Sequence, residues 1–225
     1  MRRSSPGSRS TVARLPESRP LLYYITDRRG LPGEDPVPVI EAAVAAGVDF
    51  IQLRERDLSA RGLLLLAHAS VARCQGSKTW LLVNDRLDIA IAAGADGLHL
   101  PSHGLPVGEL RRRFPEMLLG ASCHTVEEVR RAEEGGANFV VFGPVFETAS
   151  KRSYGPPLGV EKLEDAARAA TIPVLALGGI TLENAGGCLR AGVAGIAAIS
   201  LFQTSTDIGE TVRRLRALAS PPGAA

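Results

Sequence analysis

Two arginines, a glutamine and a glutamate crowd the end of one apolar run, Phe50-Ile51-Gln52-Leu53-Arg54-Glu55-Arg56. Guanidinium forks at such a tip suit a carboxylate or phosphate, because they donate in pairs and keep their charge. Similar tips follow at Leu82-Val83-Asn84-Asp85-Arg86 and Leu119-Gly120-Ala121-Ser122-Cys123-His124. Asn84 and Ser122 offer hydrogen bonds. Asp85 suits Mg²⁺ or the cap of a following helix, and both readings stand. Alternation puts Ser122 and His124 on one side of their strand. An imidazole titrates near neutrality, so His124 is the candidate proton carrier. The succeeding Thr125, Glu127 and Glu128 also resemble a helix cap. His99 has a weaker claim, His103 reads as exposed and His68 as structural.

The C-terminal half adds donors of another kind. Gly143-Pro144 leads into Thr148, Ser150 and Lys151, whose hydroxyls and ammonium suit phosphate or carboxylate. The loop runs on to Pro157, long enough for a lid. Gly178-Gly179-Ile180 and Ile199-Ser200 close two further strands. Glycine amides and helix starts can approach phosphate oxygens there, although a tight turn would use the same glycines.

These tips need a frame that points them one way. Four segments share a grammar in which a helix ends in glycine and a buried strand begins: Ala46-Gly47-Val48-Asp49, Ala93-Gly94-Ala95-Asp96, Gly135-Gly136-Ala137-Asn138 and Ala191-Gly192-Val193-Ala194. Their glycines lie 47, 42 and 56 residues apart, room for two strand–helix units each. The pattern predicts strands at 21–26, 50–54, 80–84, 97–100, 118–122, 138–143, 172–177 and 195–199. Helices are predicted at 37–46, 60–74, 86–93, 106–113, 125–135, 160–170, 181–191 and 207–218. Strands apolar on both faces belong to a covered parallel sheet. The expected fold is an α/β, eight-stranded (β/α)8 TIM barrel over 21–219, with its site at the strand C-termini. A doubly wound open sheet is the alternative, but no GxGxxG opens an early helix.

Bulk properties narrow the partners. Net charge is +2 and aromatics are 4%, which argues against nucleic acid. No apolar run approaches the roughly 20 residues of a membrane span. Cys74, Cys123 and Cys188 form no CxxC pair, as suits a reduced, cytoplasmic chain. Residues 1–20, rich in Arg, Ser and Pro, read as a disordered tail; a transit peptide or a start site placed too early are the alternatives. Residues 220–225 read as a second tail. A small-molecule substrate is expected, and a homo-oligomer is compatible.

Over about 21–204 the chain resembles the thiamine phosphate synthase and thiazole tautomerase family. The resemblance is carried by Tyr24-Ile25-Thr26-Asp27, Gln52 to Arg56, Val83 to Arg86, Gly97 to Leu100, Ser122 to Thr125, Phe142 to Thr148, Gly178 to Ile180 and Ile199-Ser200. It implies that a pyrimidine diphosphate meets Gln52, Arg54, Arg56, Asn84, Ser122 and Lys151. It implies a thiazole phosphate at Thr148, Ser150, one of Gly178 and Gly179, Ile199 and Ser200. It also implies Mg²⁺ between two aspartates, of which Asp85 matches the first. The second belongs to a run that here reads Pro101-Ser102-His103-Gly104, and no carboxylate occurs between Asp96 and Glu109. Arg56, Leu100-Pro101-Ser102, Arg113-Phe114-Pro115 and Phe146-Glu147-Thr148 resemble the tautomerase branch, whereas Asp85 argues the other way. The sequence therefore favours a tautomerase that needs no metal and uses His124 on a phosphorylated thiazole. The alternatives are a Mg²⁺-dependent synthase, a different phosphosugar-like barrel enzyme and a non-catalytic binder of thiamine phosphate.

Overall fold

The computed structural model describes residues 15–16, 19–148 and 156–218. Eight parallel strands form a closed barrel in chain order: β1 (Leu21–Ile25), β2 (Phe50–Leu53), β3 (Trp80–Asn84), β4 (Gly97–Leu100), β5 (Leu118–Cys123), β6 (Phe139–Phe142), β7 (Val174–Leu177) and β8 (Gly195–Ala198). Closure is the pairing of β1 with β8, from Leu21↔Gly195 to Tyr24↔Ala198. That pairing removes the open-sheet alternative. The helices are α1 (Val37–Ala45), α2 (Ala60–Cys74), α3 (Leu87–Ala93), α4 (Val107–Arg113), α5 (Val126–Glu134), α6 (Gly159–Ala169), α7 (Ala185–Arg190), α8 (Ser200–Gln203) and α9 (Ile208–Ala217).

The period of two along each strand makes two cores. Leu21, Tyr23, Ile25, Phe50, Leu82, Leu118, Phe139, Val141, Leu175 and Ala197 face inward as one cluster. Phe50 and Phe139 stack with centroids 5.0 Å apart, and the ring of Tyr23 meets both edge-on. The intervening residues, such as Leu22, Ile51, Val83 and Val140, pack outward under the helices. Each buried Leu, Val, Ile or Phe contributes roughly 1.5–3 kcal/mol of transfer free energy.

Gly47, Gly94, Gly136 and Gly192 all follow helix ends with positive φ, between +70° and +87°. The residue two places later fastens the barrel floor. Asp49 accepts the N–H of Leu22 at 2.7 Å and returns its own N–H to the Leu22 carbonyl at 3.1 Å. Asp96 does the same with Leu81, and Asn138 with Leu119. Arg216 from α9 holds Gly47 and Asp49; Arg111 from α4 holds Gly136 and Asn138 in the same manner. In the fourth unit the position is Ala194. Its N–H reaches the Val174 carbonyl at 2.8 Å, but it has no side-chain oxygen to return the bond.

The expected strands and helices agree with those observed to within a few residues at their ends. Three short pieces were not expected: two 3₁₀ turns after β1 (Arg28–Gly30 and Pro32–Glu34) and α8 after β8. None is long enough to show a hydrophobic period. Most of the expected tails lies outside the described residues. Leu15, however, packs against the inner cluster.

Candidate active site at the C-terminal mouth

A cavity of about 1110 Å³ opens at the C-terminal ends of the strands. Gln52, Arg54, Arg56, Asn84, Ser122, His124, Thr148, Gly178, Gly179, Ile199 and Ser200 all line it, so residues from six strand tips converge as the sequence suggested. Ser150 and Lys151 lie outside the described residues. The cavity also takes in Asp27, Glu55, Asp57, His99, Ser102, His103, Glu147 and Gln203, which sequence reasoning had not assigned to the site. Strand alternation from Leu98 and Leu100, whose side chains pack outward, would have placed His99 inside.

The floor is a chain of hydrogen bonds rising from the inner core. Gln52 donates from Nε2 to the Tyr23 hydroxyl at 2.8 Å. That hydroxyl lies 3.2 Å from His99 Nδ1, and His99 Nε2 lies 2.9 Å from Ser122 Oγ. Gly120 makes room for it: a Cβ there would sit 2.6 Å from the Phe139 ring and 2.8 Å from His99 Nδ1. Burial, with help from the Arg54 charge, pushes the His99 pKa down to about 3. His99 is therefore a neutral imidazole at ordinary pH. Burial likewise raises the Tyr23 pKa.

The wall from β1 and β2 is cationic and braced. Thr26 donates its hydroxyl to buried Glu55 and accepts the Arg54 N–H at 3.1 Å. Glu55 also accepts the Arg28 N–H, and Arg28 pairs with Glu34 and Asp57. The loop after β1 is latched to α8, since Gln203 exchanges two hydrogen bonds with the Asp27 backbone at 2.8 and 2.9 Å. These contacts fix the backbone beneath Arg54 and Arg56.

The opposite wall comes from β6, β7 and β8. Beyond β6 the chain lies across the tip of β7, with Val145 N–H on the Leu177 carbonyl at 2.8 Å and Phe146 N–H on the Gly178 carbonyl at 3.0 Å. Gly178 has φ +100° and Gly179 φ +63°. A Cβ on Gly178 would meet Pro144 Cα at 2.6 Å, and one on Gly179 the Glu147 carbonyl at 2.6 Å. Packing alone thus demands both glycines, which brings the tight-turn reading and the anion reading onto the same residues. Asn184 holds the Gly179 carbonyl at 2.8 Å. The Thr148 hydroxyl is buried with no hydrogen-bond partner among the described residues, a donor suited to a ligand oxygen.

His124 stands at the rim, its side chain 39% exposed. Thr125 caps α5 by accepting the Glu128 N–H, and Glu128 reaches back to the His124 N–H at 2.6 Å and to its Nδ1 at 3.2 Å. The cap and the cavity-lining position coexist. Asp85 is exposed and does not line the cavity, but it has φ +61°. The Arg86 N–H meets the Asn84 carbonyl at 2.7 Å across it, which makes a γ-turn. Position 86, not 85, precedes α3 as its cap, and no side chain caps that helix. A strained non-glycine residue at a strand tip is a signal of function. Among the described residues no group of three or more His, Cys, Asp or Glu is placed to hold a metal ion. Mg²⁺ commonly takes one or two carboxylates and completes its shell with phosphate oxygens and water. One carboxylate, Asp85, stands at the β3 tip for such an ion, outside the residues that line the cavity.

Comparison with known proteins gives the family. The family model described as thiamine monophosphate synthase matches residues 22–202. A thiamine-phosphate synthase of Roseiflexus sp. (strain RS-1) is 38% identical over 214 residues, covering 95% of this chain and 91% of its own. One from Methanoculleus marisnigri is 41% identical over 196 residues, covering 87% and 93%. The solved thiamine phosphate pyrophosphorylase of Pyrococcus furiosus superposes with a TM-score of 0.78 at 32% identity, covering 88% of this chain and 95% of that one. With a closed barrel, a mouth lined by arginines and by the glycines of the β7 tip, and a match across nearly all of β1 to α8, the chain belongs to the thiamine monophosphate synthase family.

Proposed function

We propose that this protein joins hydroxymethylpyrimidine diphosphate to thiazole phosphate, giving thiamine phosphate and diphosphate. The observation that carries this reading is one cavity of about 1110 Å³ with two separate anion walls. Arg54, Arg56, Asn84 and Ser122 would hold the diphosphate. Gly179, Ser200 and Thr148, with Ser150 from the family resemblance, would hold the thiazole phosphate. Lys151 would join the diphosphate set. The new bond is from the thiazole nitrogen to the pyrimidine methylene, and the methylene–oxygen bond breaks with its electron pair leaving on the diphosphate. Mg²⁺ on Asp85 and the diphosphate would neutralise that departing charge. No proton carrier is needed at the reacting carbon, so His124 becomes a rim contact.

This reverses the preference for a tautomerase drawn from the missing carboxylate after β4 and from Arg56, Leu100-Pro101-Ser102, Arg113-Phe114-Pro115 and Phe146-Glu147-Thr148. The relatives' names support the synthase. The loop itself supplies a local reason for the missing acid: Gly104 closes a turn onto the Pro101 carbonyl at 2.9 Å, and a Cβ there would sit 2.9 Å from Pro101 Cδ. The glycine fits the proline turn. The three cysteines are free and buried, which suits a reducing cytoplasm. The test is to incubate the protein with both substrates, with and without Mg²⁺, and separately with the non-aromatic thiazole carboxylate phosphate. Mg²⁺-dependent thiamine phosphate is expected. Aromatisation of the thiazole without any coupling would overturn the proposal and restore the tautomerase.

A further inference from the structure

The chain Gln52–Tyr23–His99–Ser122 has a direction that its donors dictate. Tyr23 is fully buried and its hydroxyl has one proton to place. Its two hydrogen-bond neighbours are Gln52 Nε2 and His99 Nδ1. The amide nitrogen is a donor without acceptor capacity. The phenol proton therefore goes to His99 Nδ1. A neutral imidazole that accepts at Nδ1 bears its proton on Nε2, and that proton points to Ser122 Oγ 2.9 Å away. Ser122 Oγ accepts, so its own proton is free to enter the cavity, where the arginines already favour an anion.

We infer that His99 is a positioning residue that sets the Ser122 hydroxyl as an obligate donor to the anionic group bound at the β2–β5 wall, through a relay that starts at Gln52 and Tyr23. The opposite polarity would need Gln52 turned over, with its carbonyl accepting from Tyr23. Tyr23 would then accept from His99 Nδ1, and Ser122 would spend its proton on Nε2. It would present lone pairs to the cavity and repel a phosphate oxygen. The orientation of one buried amide thus decides whether this wall attracts or repels an anion. The polarity depends on the floor alone, whereas the choice of diphosphate as the anion rests on the proposed synthase activity.

Two measurements separate these parts. The first is nitrogen NMR of the whole protein with ¹⁵N-histidine, the His99 signals being assigned by their loss in His99→Gln. The expected result is a bare Nδ1 and a protonated Nε2, unchanged between pH 5 and 8. A protonated Nδ1, or a ring that titrates in that range, overturns the relay. The second is calorimetric binding of inorganic diphosphate with Mg²⁺ to the unmodified protein, His99→Leu, Ser122→Ala and the double variant, with thermal unfolding as the check of folding. Hydrogen bonds to charged groups are worth enough for about a tenfold loss or more in each single variant. The double variant should be no weaker than Ser122→Ala, and His99→Gln, which restores a donor near Nε2, should recover part of the loss. Additive losses would overturn the relay by making His99 a packing residue. If the unmodified protein bound no diphosphate, the diphosphate half would fall while the NMR result judged the polarity by itself.

Discussion

Glu147 lies directly over Gly179, with its carbonyl oxygen 2.6 Å from where a Cβ on that glycine would be. The residue after Glu147 is Thr148, whose hydroxyl is buried without a partner among the described residues. Gly179→Ala would push the backbone of the β6 loop away and carry Thr148 with it. The φ of +63° adds a left-handed penalty of about 1–2 kcal/mol. The expected outcome is a KM for thiazole phosphate raised about tenfold or more, with the affinity for inorganic diphosphate much less changed. An unchanged KM would remove the β7 tip from the site.

The buried His99 makes the fold acid-sensitive. Its folded pKa is pushed down to about 3, whereas the unfolded chain takes up the proton near 6.5. Between those values the unfolded state holds one more proton, so stability rises with pH and falls on acidification. The loss from this group should approach roughly 1.4 kcal/mol per pH unit well below 6.5, or about 2 kcal/mol between pH 7 and pH 5. Denaturant midpoints at both pH values should show this extra slope in the unmodified protein and lose it in His99→Gln. Equal slopes would mean that His99 is not held neutral.

At Asp85 strain and charge can be separated. Asp85→Gly relieves the positive φ but gives up some entropy in the unfolded chain, terms of about 1 kcal/mol that oppose each other. Its stability should stay within about 1 kcal/mol of the original. Asp85→Asn keeps the shape and removes the charge. Both should lower Mg²⁺-dependent coupling by about 10²-fold, on the scale of several kcal/mol for metal charge stabilisation. Coupling that survives Asp85→Asn would take the metal away from the β3 tip.

Asp96 tests the barrel floor without touching the mouth. Asp96→Ala leaves the buried N–H of Leu81 without its side-chain acceptor, at a cost of about 1–3 kcal/mol. KM for both substrates should be unchanged, because the floor and the mouth lie at opposite ends of the strands. A stability loss accompanied by a matching KM shift would show that the two ends are coupled.

The barrel was legible because its grammar is local. A glycine after each of four helices, an acid or amide two places on in three of them, and apolar strands between are all visible in single segments. The cavity lining was legible where a polar residue interrupts an apolar run, as at Gln52, Arg54, Asn84 and Ser122. His99 had only a weaker claim in sequence because its hydrogen-bond neighbours, Tyr23 and Ser122, lie 76 and 23 residues away. Asp27 and Gln203 were missed for the same reason, their link spanning 176 residues. Nor did composition reveal that the Gly178-Gly179 pair is demanded by Pro144 and Glu147. The preference for a tautomerase rested on the lost carboxylate near Gly104 and on short stretches such as Arg56, Leu100-Pro101-Ser102 and Phe146-Glu147-Thr148, local features that do not separate two activities of one family; Gly104 itself stands in a turn with Pro101.

Ala194 leaves one seam of the floor with a single hydrogen bond where the corresponding seams have two. That seam joins β7 to β8, whose upper ends carry Gly179 and Ser200. Sub-global opening should begin there, because local unfolding follows the least fastened contacts. In native-state hydrogen exchange the amides of β7 and β8 should therefore exchange with a lower opening free energy than those of β1 to β6. Ala194→Asn should narrow the difference. A ring-shaped fold with a less fastened joint can widen its mouth without unfolding, and here the joint runs beneath the Gly179–Ser200 wall, which on the proposed synthase reading would admit one phosphate and release a larger product.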